Sequence, residues 1–415
     1  MSITAIRGFN DILPNECSKW AKIEAEARRV FALHGFLEIR LPIVERAELF
    51  LRTIGETTDI VEKQMYLFKD NGGDSLALRP EGTASAVRAY IEHKLYESPV
   101  TRIFYSGPMF RYERPQKGRY RQFYQLGAEV LGDAGPFSDA ETIAMLASLF
   151  TNIGIKGVSV NVNSLGCEEC RPSYKAMLSE FLSAKTGSLC DNCKRRMDKN
   201  PLRALDCKSE HCIEATKDTP SIREHLCTGC KEHFSGALNA LDALGVSYEI
   251  NPRMVRGLDY YTRTTFEVIA TEGLGSQNAI AAGGRYDNLV KELGGPQTPC
   301  FGFAIGMERL ALTMPEKSDT ARTAHIITMG DGTLKTAMEA AATIRGHGVP
   351  ATIDASSASL KSKMKKADRI GSRFVIIIGE DELKEGLFSL KDMTAGTQER
   401  VTREALLEKL ADSGK

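Results

Sequence analysis

The hydrophobic pattern of the N-terminal third predicts one amphipathic helix followed by several short strands. The spacing of Ile23, Ala27, Val30 and Phe31 is that of a helix with one buried face. A second helix is expected over residues 140–152. Between the two lie the extended runs FLEIRLPIVE, MYLFKD, SLALRP, TRIFYSGPMFRYE and RQFYQLGAEVLG. Several strands with few long helices predict an antiparallel sheet with helices packed on one side, an α+β fold.

The pattern changes over residues 166–230, which predicts an inserted helical module. This segment has short polar helices, few β-branched residues and closely paired cysteines. Strand character resumes in VSYEINP, FEVIATE and IAAGGRYD, and CFGFAIGMERLAL predicts a strand that runs into a helix. We therefore assign residues 1–165 and 231–319 to one discontinuous domain that closes after the insertion.

Residues 320–415 alternate differently, which predicts a separate domain. HIITMG, VPATID and FVIIIG read as strands, and the segments between them have helical spacing. Strands that alternate with helices predict an α/β domain with a largely parallel sheet.

Overall charge gives no indication of a nucleic-acid partner, because Lys+Arg and Asp+Glu both number 54 among the 415 residues. Any such partner has to be recognised by local basic patches. The sequence has no run near the ~20 apolar residues that a membrane span needs, and its start lacks the pattern of a secretory signal. We expect a cytoplasmic protein with no membrane partner.

The cysteines indicate a metal site, because eight of the ten fall in four close pairs within the predicted insertion. Three pairs have the two-residue spacing typical of zinc ligands. Their nesting predicts up to two tetrahedral sites, with the outer pairs sharing one metal and the inner pairs another. The alternative is a set of small reduced cysteines packed in a helical module. The four pairs are Cys167/Cys170, Cys190/Cys193, Cys207/Cys212 and Cys227/Cys230.

Residues 105–129 predict a buried polar site. Gln125 and Glu129 have the same parity on one strand, so both side chains project from one face. The preceding strand ends at Arg111 and would place that guanidinium nearby. A sheet with a purely structural role rarely buries such groups, although a surface hairpin with salt bridges is the alternative.

These residues also carry a family resemblance. FRYERPQKGRYRQF resembles the second signature motif of the class II aminoacyl-tRNA synthetases in its histidine-specific form. FLEIRLPIVE resembles the first motif and GFAIGMERL the third. LRPEGT lies between them, as do RGLDYYTRTTFE and AGGRYDNLV, which are similar to segments that set the histidine-specific members apart. The resemblance covers essentially the whole chain, in order.

The resemblance implies an enzyme that activates L-histidine with ATP and Mg²⁺ and transfers it to the 3′ end of tRNA(His). The discontinuous domain would be catalytic, and residues 320–415 would bind the anticodon. The first motif implies a homodimer. Any zinc in the insertion would be structural, because catalysis in the family does not require it.

Arginines suit this chemistry, because an always-charged guanidinium binds phosphate oxygens in a bidentate manner. By resemblance, Arg111 holds the α-phosphate and Arg309 the γ-phosphate, with Glu113 also in the ATP site. Arg256 contacts the carboxylate and the α-phosphate and is the main catalytic residue.

The same resemblance assigns the remaining substrate contacts. The α-amino group of histidine would meet Glu81, Thr83 and Gln125. Its ring would meet Glu129, Tyr260 and Tyr261, and a carboxylate acceptor fixes the role of each ring nitrogen. The acceptor end of tRNA would contact the loop that contains Gln116, Lys117 and Arg119.

Two other functions compete with this prediction. A histidine-sensing regulatory paralogue would tend to lose the catalytic motifs and the C-terminal domain, whereas this chain retains Arg111, Arg256 and Arg309. A class II synthetase for threonine, proline or glycine is disfavoured by RGLDYYTRT and Glu129.

Overall fold

A computed structural model describes residues 3–55, 58, 60–197, 200–272, 274, 278–315 and 323–412. The chain forms two compact units, Met1–Pro315 and Glu316–Lys415. The predicted domain boundary between residues 319 and 320 lies outside the described residues. Among the helices of the described ranges, none combines the length and apolarity that a membrane crossing requires.

An eight-stranded sheet forms the centre of the first unit. Its order is β1-β5-β6-β11-β10-β9-β7-β8, and a smaller sheet has the order β2-β4-β3. The long strands pair antiparallel, whereas the short edge strands β1 and β8 pair in parallel with β5 and β7. The predicted α+β fold with an antiparallel sheet is confirmed. The strands are β1 (Leu37–Glu38), β2 (Val44–Arg46), β3 (Tyr66–Lys69), β4 (Ser75–Leu78), β5 (Thr101–Phe110), β6 (Gln122–Leu131), β7 (Val158–Ser164), β8 (Glu249–Ile250), β9 (Thr262–Ala270), β10 (Ala279–Arg285) and β11 (Cys300–Gly306).

Helices α1, α4, α8 and α10 share one hydrophobic core with a face of this sheet. Helix α1 contributes the predicted stripe from Ile23 to Phe31. Helix α4 begins four residues earlier than predicted, at Pro136, because proline is favoured in the first helical turn. The helices are α1 (Pro14–Leu33), α2 (Ala47–Ile54), α3 (Thr83–Glu92), α4 (Pro136–Asn152), α5 (Arg171–Ala184), α6 (Asp191–Arg196), α7 (Glu210–Ala215), α8 (Thr228–Ala243), α9 (Leu289–Glu292) and α10 (Met307–Thr313).

The parity of β6 separates the core from the polar face of the sheet. Leu126, Ala128 and Val130 point into the helix-covered core. Gln125 and Glu129 have the opposite parity and therefore project from the other face. This second face is covered by α3, α9 and the inserted module.

The inserted module lies between β7 and α8. Its helices α5, α6 and α7 pack through Tyr174, Leu178 and Leu182 of α5 onto short turns that carry the paired cysteines. The module shares a buried cluster with β5 and with the segment that holds Tyr260 and Tyr261. It is therefore packed against the polar face of the sheet.

The second unit has a five-stranded sheet in the order β13-β12-β14-β15-β16. The first three strands are parallel, as predicted, but β15 and β16 form an antiparallel hairpin. The outer strand of this hairpin, β16, was not predicted, because four of its five residues are exposed and give no apolar alternation. Its elements are β12 (Ala324–Thr328), α11 (Thr333–Gly346), β13 (Ala351–Asp354), α12 (Leu360–Arg369), β14 (Phe374–Ile378), α13 (Glu380–Glu385), β15 (Phe388–Asp392), β16 (Thr397–Val401) and α14 (Arg403–Asp412).

Candidate active site

A cavity of about 360 Å³ opens on the polar face of the large sheet. Strands β6, β10 and β11 form its floor, and its walls come from the start of α3, the loop after β5, the segment before β9 and helix α10. Most of the predicted site residues meet here, although they are spread over more than 200 positions of sequence. They are Glu81, Thr83, Arg111, Glu113, Arg119, Gln125, Arg256, Tyr260, Tyr261 and Arg309.

Arg111 is held at the mouth of the β5–β6 hairpin. Its Nε donates to the carbonyl oxygen of Pro80 at 2.8 Å, and its guanidinium carbon lies 5.1 Å from the centre of the Phe123 ring. Burial lowers the pKa of Arg111, which the carboxylates of Glu113 and Glu81 partly offset. The neutral carbonyl and the ring orient the cation without neutralising it, so its charge is available to an anion.

Arg309 is fixed in a similar way on α10. Nε donates to the carbonyl oxygen of Gly118 at 3.1 Å, and Nη1 donates to that of Ala279 at 2.8 Å. These acceptors lie in the loop before β6 and in β10. Arg309 therefore joins two walls of the cavity with its positive charge facing the space between them.

Arg256 lies in the segment before β9 and pairs with Glu267 of that strand. Its guanidinium carbon is 5.5 Å from the centre of the Tyr261 ring. Burial lowers its pKa, but Glu267 and the neighbouring tyrosines outweigh this effect, so the net shift is upward. Arg256 is thus a permanent cation in the cavity wall.

Glu81 and Thr83 form the start of helix α3. The carboxylate of Glu81 accepts hydrogen bonds from the backbone N–H groups of Thr83 at 2.7 Å and Ala84 at 2.8 Å. These N–H groups have no partner within the helix, so Glu81 also caps α3. Burial raises the pKa of Glu81.

Glu129 does not line the cavity; it projects from the same face of β6 as Gln125 but has no exposed surface. Three hydroxyl groups donate to its carboxyl: Thr83 at 2.8 Å, Tyr105 at 3.0 Å and Tyr286 at 2.5 Å. Burial is the main cause that raises its pKa to about 8. For Glu129 to meet a substrate ring, a ring nitrogen has to replace one of these hydroxyls.

Glycines on neighbouring strands make room for this buried group. A Cβ on Gly302 of β11 would lie 1.7 Å from Oε2 of Glu129, and one on Gly127 would lie 2.2 Å from the Tyr105 ring. Gly283 of AGGRYD, on β10, faces Gly302 and Phe303. It therefore serves strand packing.

Two buried polar atoms in the cavity have no hydrogen-bond partner within the described ranges, Oε1 of Gln125 and Nε of Arg256. Unsatisfied buried polar atoms are rare in folded proteins and call for an explanation. One is an acceptor and the other a cationic donor. Together they suit a ligand with an ammonium group and an anionic group, such as an amino acid.

The predicted tRNA loop is a tight turn beside the cavity. Backbone N–H and carbonyl groups of Gln116 and Arg119 pair with each other at 3.0 and 2.9 Å, and Gly118 has a φ of +70° that favours glycine. Arg119 also pairs with Glu113. Gln116 and Lys117 do not line the cavity, so they are available to a partner that covers the loop.

Several residues of the site were not assigned from the sequence. Glu308 accepts from the backbone N–H of Tyr124 at 2.9 Å, and burial raises its pKa to about 7. Glu267 lies in a quoted motif but received no role. Tyr105 and Tyr286 carry no sequence signal of their own, because their function is to donate to a distant carboxyl group.

The eight paired cysteines form two groups of four in the inserted module. Within each group the ligand sulfur atoms all lie within 4.8 Å of one another. The outer group combines the first and last pairs and the inner group the two middle pairs, as the nesting predicted. The outer group is Cys167, Cys170, Cys227 and Cys230, and the inner group is Cys190, Cys193, Cys207 and Cys212.

An antiparallel sheet with an arginine-rich cavity and a separate α/β unit agrees with the fold of the class II aminoacyl-tRNA synthetases, which the motifs resemble. The sequence profile of "Histidyl-tRNA synthetase" matches residues 8–310, and that of "Anticodon binding domain" matches residues 323–413. The histidine–tRNA ligase of Geobacter metallireducens is 53% identical over 401 residues, 96% of this chain and 97% of its own. The chain therefore belongs to the histidyl-tRNA synthetase family.

Solved structures agree with this assignment. The apo histidyl-tRNA synthetase of S. aureus is 34% identical, with a TM-score of 0.80 over 99% of this chain and 100% of its own. A protein of Bacillus halodurans C described as an ATP phosphoribosyltransferase regulatory subunit/histidyl-tRNA synthetase has a TM-score of 0.68 at 21% identity, over 91% of this chain and 99% of its own. The latter likeness establishes a shared fold alone.

Proposed function

We propose that this chain is a histidine–tRNA ligase that makes histidyl-adenylate from L-histidine and ATP in the described cavity. The histidyl group then passes to the 3′ end of tRNA(His). The observation that carries the proposal is the meeting of Arg111, Arg256 and Arg309 in one cavity that also presents acceptors for an amino acid. The cations suit the phosphates, and the acceptors suit an ammonium group.

In the first step, a carboxylate oxygen of histidine attacks the α-phosphorus of ATP and pyrophosphate leaves. Arg256 bridges the attacking carboxylate and the α-phosphate, Arg111 holds the α-phosphate, and Arg309 binds the γ-phosphate. This step needs no general base, because the nucleophile is already ionised. Catalysis comes from orientation and from fixed positive charge where negative charge develops.

In the second step, a hydroxyl group of the terminal ribose of tRNA attacks the histidyl carbonyl carbon and AMP leaves. Magnesium would accompany ATP. Carboxylate oxygens are suitable Mg²⁺ ligands, and Glu113 and Glu267 present such oxygens to the cavity.

Selection of histidine rests on the other end of the cavity. Glu81, Thr83 and Gln125 would receive the α-ammonium group. Glu129 would accept a hydrogen bond from a ring N–H group of histidine. Tyr260 and Tyr261, whose ring centres are 4.8 Å apart, would pack against the histidine ring. A site built on buried hydrogen bonds rejects side chains that lack the partner group.

Pyrophosphate exchange into ATP tests the proposal directly. The purified protein is assayed with each of the twenty amino acids singly, with Mg²⁺ and without tRNA. We expect exchange with histidine alone. Binding of histidine without exchange would instead favour a regulatory histidine sensor, and exchange with another amino acid would contradict the assigned specificity.

The second unit is proposed to bind the anticodon through exposed lysines of α12. Lys361 and Lys365 are exposed. Lys363 is buried, and its Nζ donates to the carbonyl oxygen of Thr328 at 2.6 Å, so it does not face tRNA. Lys366 pairs with Asp354 at 3.0 Å. Phosphate binding by this helix is therefore limited to one face.

Charge reversal tests this surface. Lys361→Glu with Lys365→Glu should raise the KM for tRNA in charging by about tenfold, because two phosphate contacts are lost. Histidine-dependent exchange should stay unchanged. Lys384→Glu, on α13, is the control. Equal loss of charging and exchange would indicate a structural role for the lysines.

A homodimer is proposed through β1 and the small sheet. The segment that resembles the first motif runs from β1 to β2 in this region. Apolar side chains of β1 and of the small sheet are exposed here: Leu37 is 73% exposed, Leu67 53% and Phe68 42%. Exposed apolar clusters commonly mark interfaces. Leu67→Lys with Phe68→Lys should shift sedimentation from dimer to monomer, whereas Leu334→Lys on α11 should not.

We also propose that the protein acts in the cytoplasm, where ATP and tRNA are available, and that its cysteine groups bind zinc in a structural role. The free thiols suit a reducing compartment.

A further inference from the structure

The cysteine groups have the geometry of metal centres. Sulfur–sulfur distances of 3.8 Å separate Cys167 from Cys170, Cys167 from Cys227, Cys170 from Cys230, and Cys190 from Cys207. A disulfide requires about 2.05 Å. A tetrahedron with metal–sulfur bonds of about 2.3 Å has edges of about 3.8 Å, which is the zinc–thiolate case.

Backbone groups support the sulfur atoms as ligands. The N–H of Cys167 donates to Sγ of Cys170 at 3.1 Å, and the N–H of Cys190 donates to Sγ of Cys212 at 3.1 Å. Such outer hydrogen bonds orient ligands and offset their negative charge. Cys17 and Cys300 belong to neither group.

We propose that the module binds two zinc ions, one in each cysteine group, and that the inner ion positions the loop that carries Arg256. The outer group joins the two ends of the insertion, since its pairs follow β7 and begin α8. The inner group brings Cys190 and Cys193 together with Cys207 and Cys212. The turn NPLRALDC, residues 200–207, leads into its second pair and ends at Cys207.

The side chains of this turn hold the catalytic loop. Arg203 donates through Nη1 to the carbonyl oxygen of Arg256 at 2.8 Å, and Asn200 donates to Asp259 at 2.8 Å. In return, Arg253 of the loop donates to the carbonyl oxygen of Thr216 at 2.7 Å. The module therefore supports this loop on one side. On the other side Asn163 of β7 donates through Nδ2 to the carbonyl oxygen of Met254 at 2.9 Å, and Glu267 of β9 pairs with Arg256.

A second contact comes from the first turn of α5. Arg171 donates to the carbonyl oxygen of Tyr261 and, at 3.2 Å, to that of Leu165. Arg171 directly follows Cys170 of the outer group. A side chain that holds the loop between residues 253 and 261 thus directly follows a ligand of the outer group, and another, Arg203, lies four residues before Cys207 of the inner group.

Metal content tests the sites without reference to activity. Protein purified without chelator should contain two zinc ions per chain, as measured by elemental mass spectrometry. Cys190→Ser with Cys193→Ser should leave one, as should Cys167→Ser with Cys170→Ser, whereas Cys17→Ser should keep two. Wild-type protein with one equivalent or less would overturn the two-ion proposal. Replacement by Co²⁺ should give the visible absorption of tetrahedral thiolate coordination.

Exchange kinetics test the positioning role, which rests on the proposed function. Arg203→Ala leaves every cysteine in place, so it should retain two zinc ions. It should lower the kcat of histidine-dependent exchange by about tenfold with a small change in KM, because the loop loses alignment rather than substrate contacts. Arg203→Lys, which can still donate to the carbonyl, should recover most of the rate.

The outcomes are separable. Full exchange in the Arg203→Ala variant would overturn the positioning role and leave the zinc sites standing. Absence of exchange in the wild-type protein would instead contradict the proposed function. A fall in kcat accompanied by lost zinc would mean that Arg203 stabilises the module, and it would also overturn the positioning role.

Discussion

The two ends of the cavity hold their charged groups in opposite ways. At the end proposed to bind phosphate, Arg111 and Arg309 are held in place by hydrogen bonds to neutral carbonyl groups, which do not neutralise their charge. At the ring end, Glu129 is enclosed by three hydroxyl groups, and burial raises its pKa to about 8. The first end is organised to attract an anion. The second is organised to match a hydrogen-bond pattern, and electrostatic attraction contributes little there.

The largest effect should come from the phosphate end. Arg256→Ala is expected to lower the rate of histidine-dependent pyrophosphate exchange by about 10³-fold, because a preorganised cation is lost where charge develops. Arg28→Ala on the exposed face of α1 is the control. Near-normal exchange in the Arg256 variant would remove this residue from the catalytic role.

A smaller effect, on binding alone, should come from the ring end. Glu129→Gln is expected to raise the KM for histidine by about 10²-fold, because the amide replaces one acceptor oxygen with an NH2 group that can only donate. The kcat at saturating histidine should fall much less. The exposed Glu97→Gln serves as the matched control. An unchanged dependence on histidine concentration would place Glu129 outside the ring site.

A conservative substitution of Arg309 tests whether the fixed orientation of its guanidinium matters, or only its positive charge. Arg309→Lys keeps the positive charge but cannot reach the carbonyl oxygens of Gly118 and Ala279 together. We expect the KM for ATP to rise by about tenfold, with little change in the KM for histidine. If both constants stayed at the wild-type values, charge alone would suffice at this end.

The smallest effect concerns stability and pH. The pKa of Glu129 rises from the usual 4.5 to about 8 in the folded state, so between these values the native state keeps a proton that the unfolded chain has released. Unfolding then releases a proton, and the free energy of unfolding falls as pH rises through this window. Glu129→Gln removes this titration. Its Tm relative to wild type should therefore increase from pH 5 to pH 8, and a constant difference would contradict the shift.

The fold was predictable where strands are long and half-buried. Strands β5 and β6 were expected because apolar residues recur along the ten positions of each, and the parity of β6 placed Gln125 and Glu129 on one face. The outer strand of the β15–β16 hairpin, β16, was missed, because it is exposed and polar. Alternation of apolar and polar residues appears in a strand because one of its faces is buried, so the sequence of an exposed edge strand does not show it.

Site residues were predictable where the side chain itself would contact the substrate and belongs to a recognisable motif. The arginines and tyrosines that line the cavity were identified from motifs. The full burial of Glu129 was not predicted, because it depends on hydroxyl groups from three separate elements. Arg171 and Arg203 were also missed, because they act on backbone carbonyls, and such an acceptor is present at every residue.

The close approach of Gly302 to Glu129 has a consequence for evolution. A methyl group at position 302 would lie 1.7 Å from the carboxyl oxygen of Glu129 and 2.7 Å from the backbone carbonyl oxygen of Ala128, so alanine there requires both the Glu129 side chain and the neighbouring strand to shift. Replacement of Glu129 alone by a smaller residue would leave a void and three unsatisfied hydroxyl groups. A lineage that drifts toward another amino acid must therefore alter both strands.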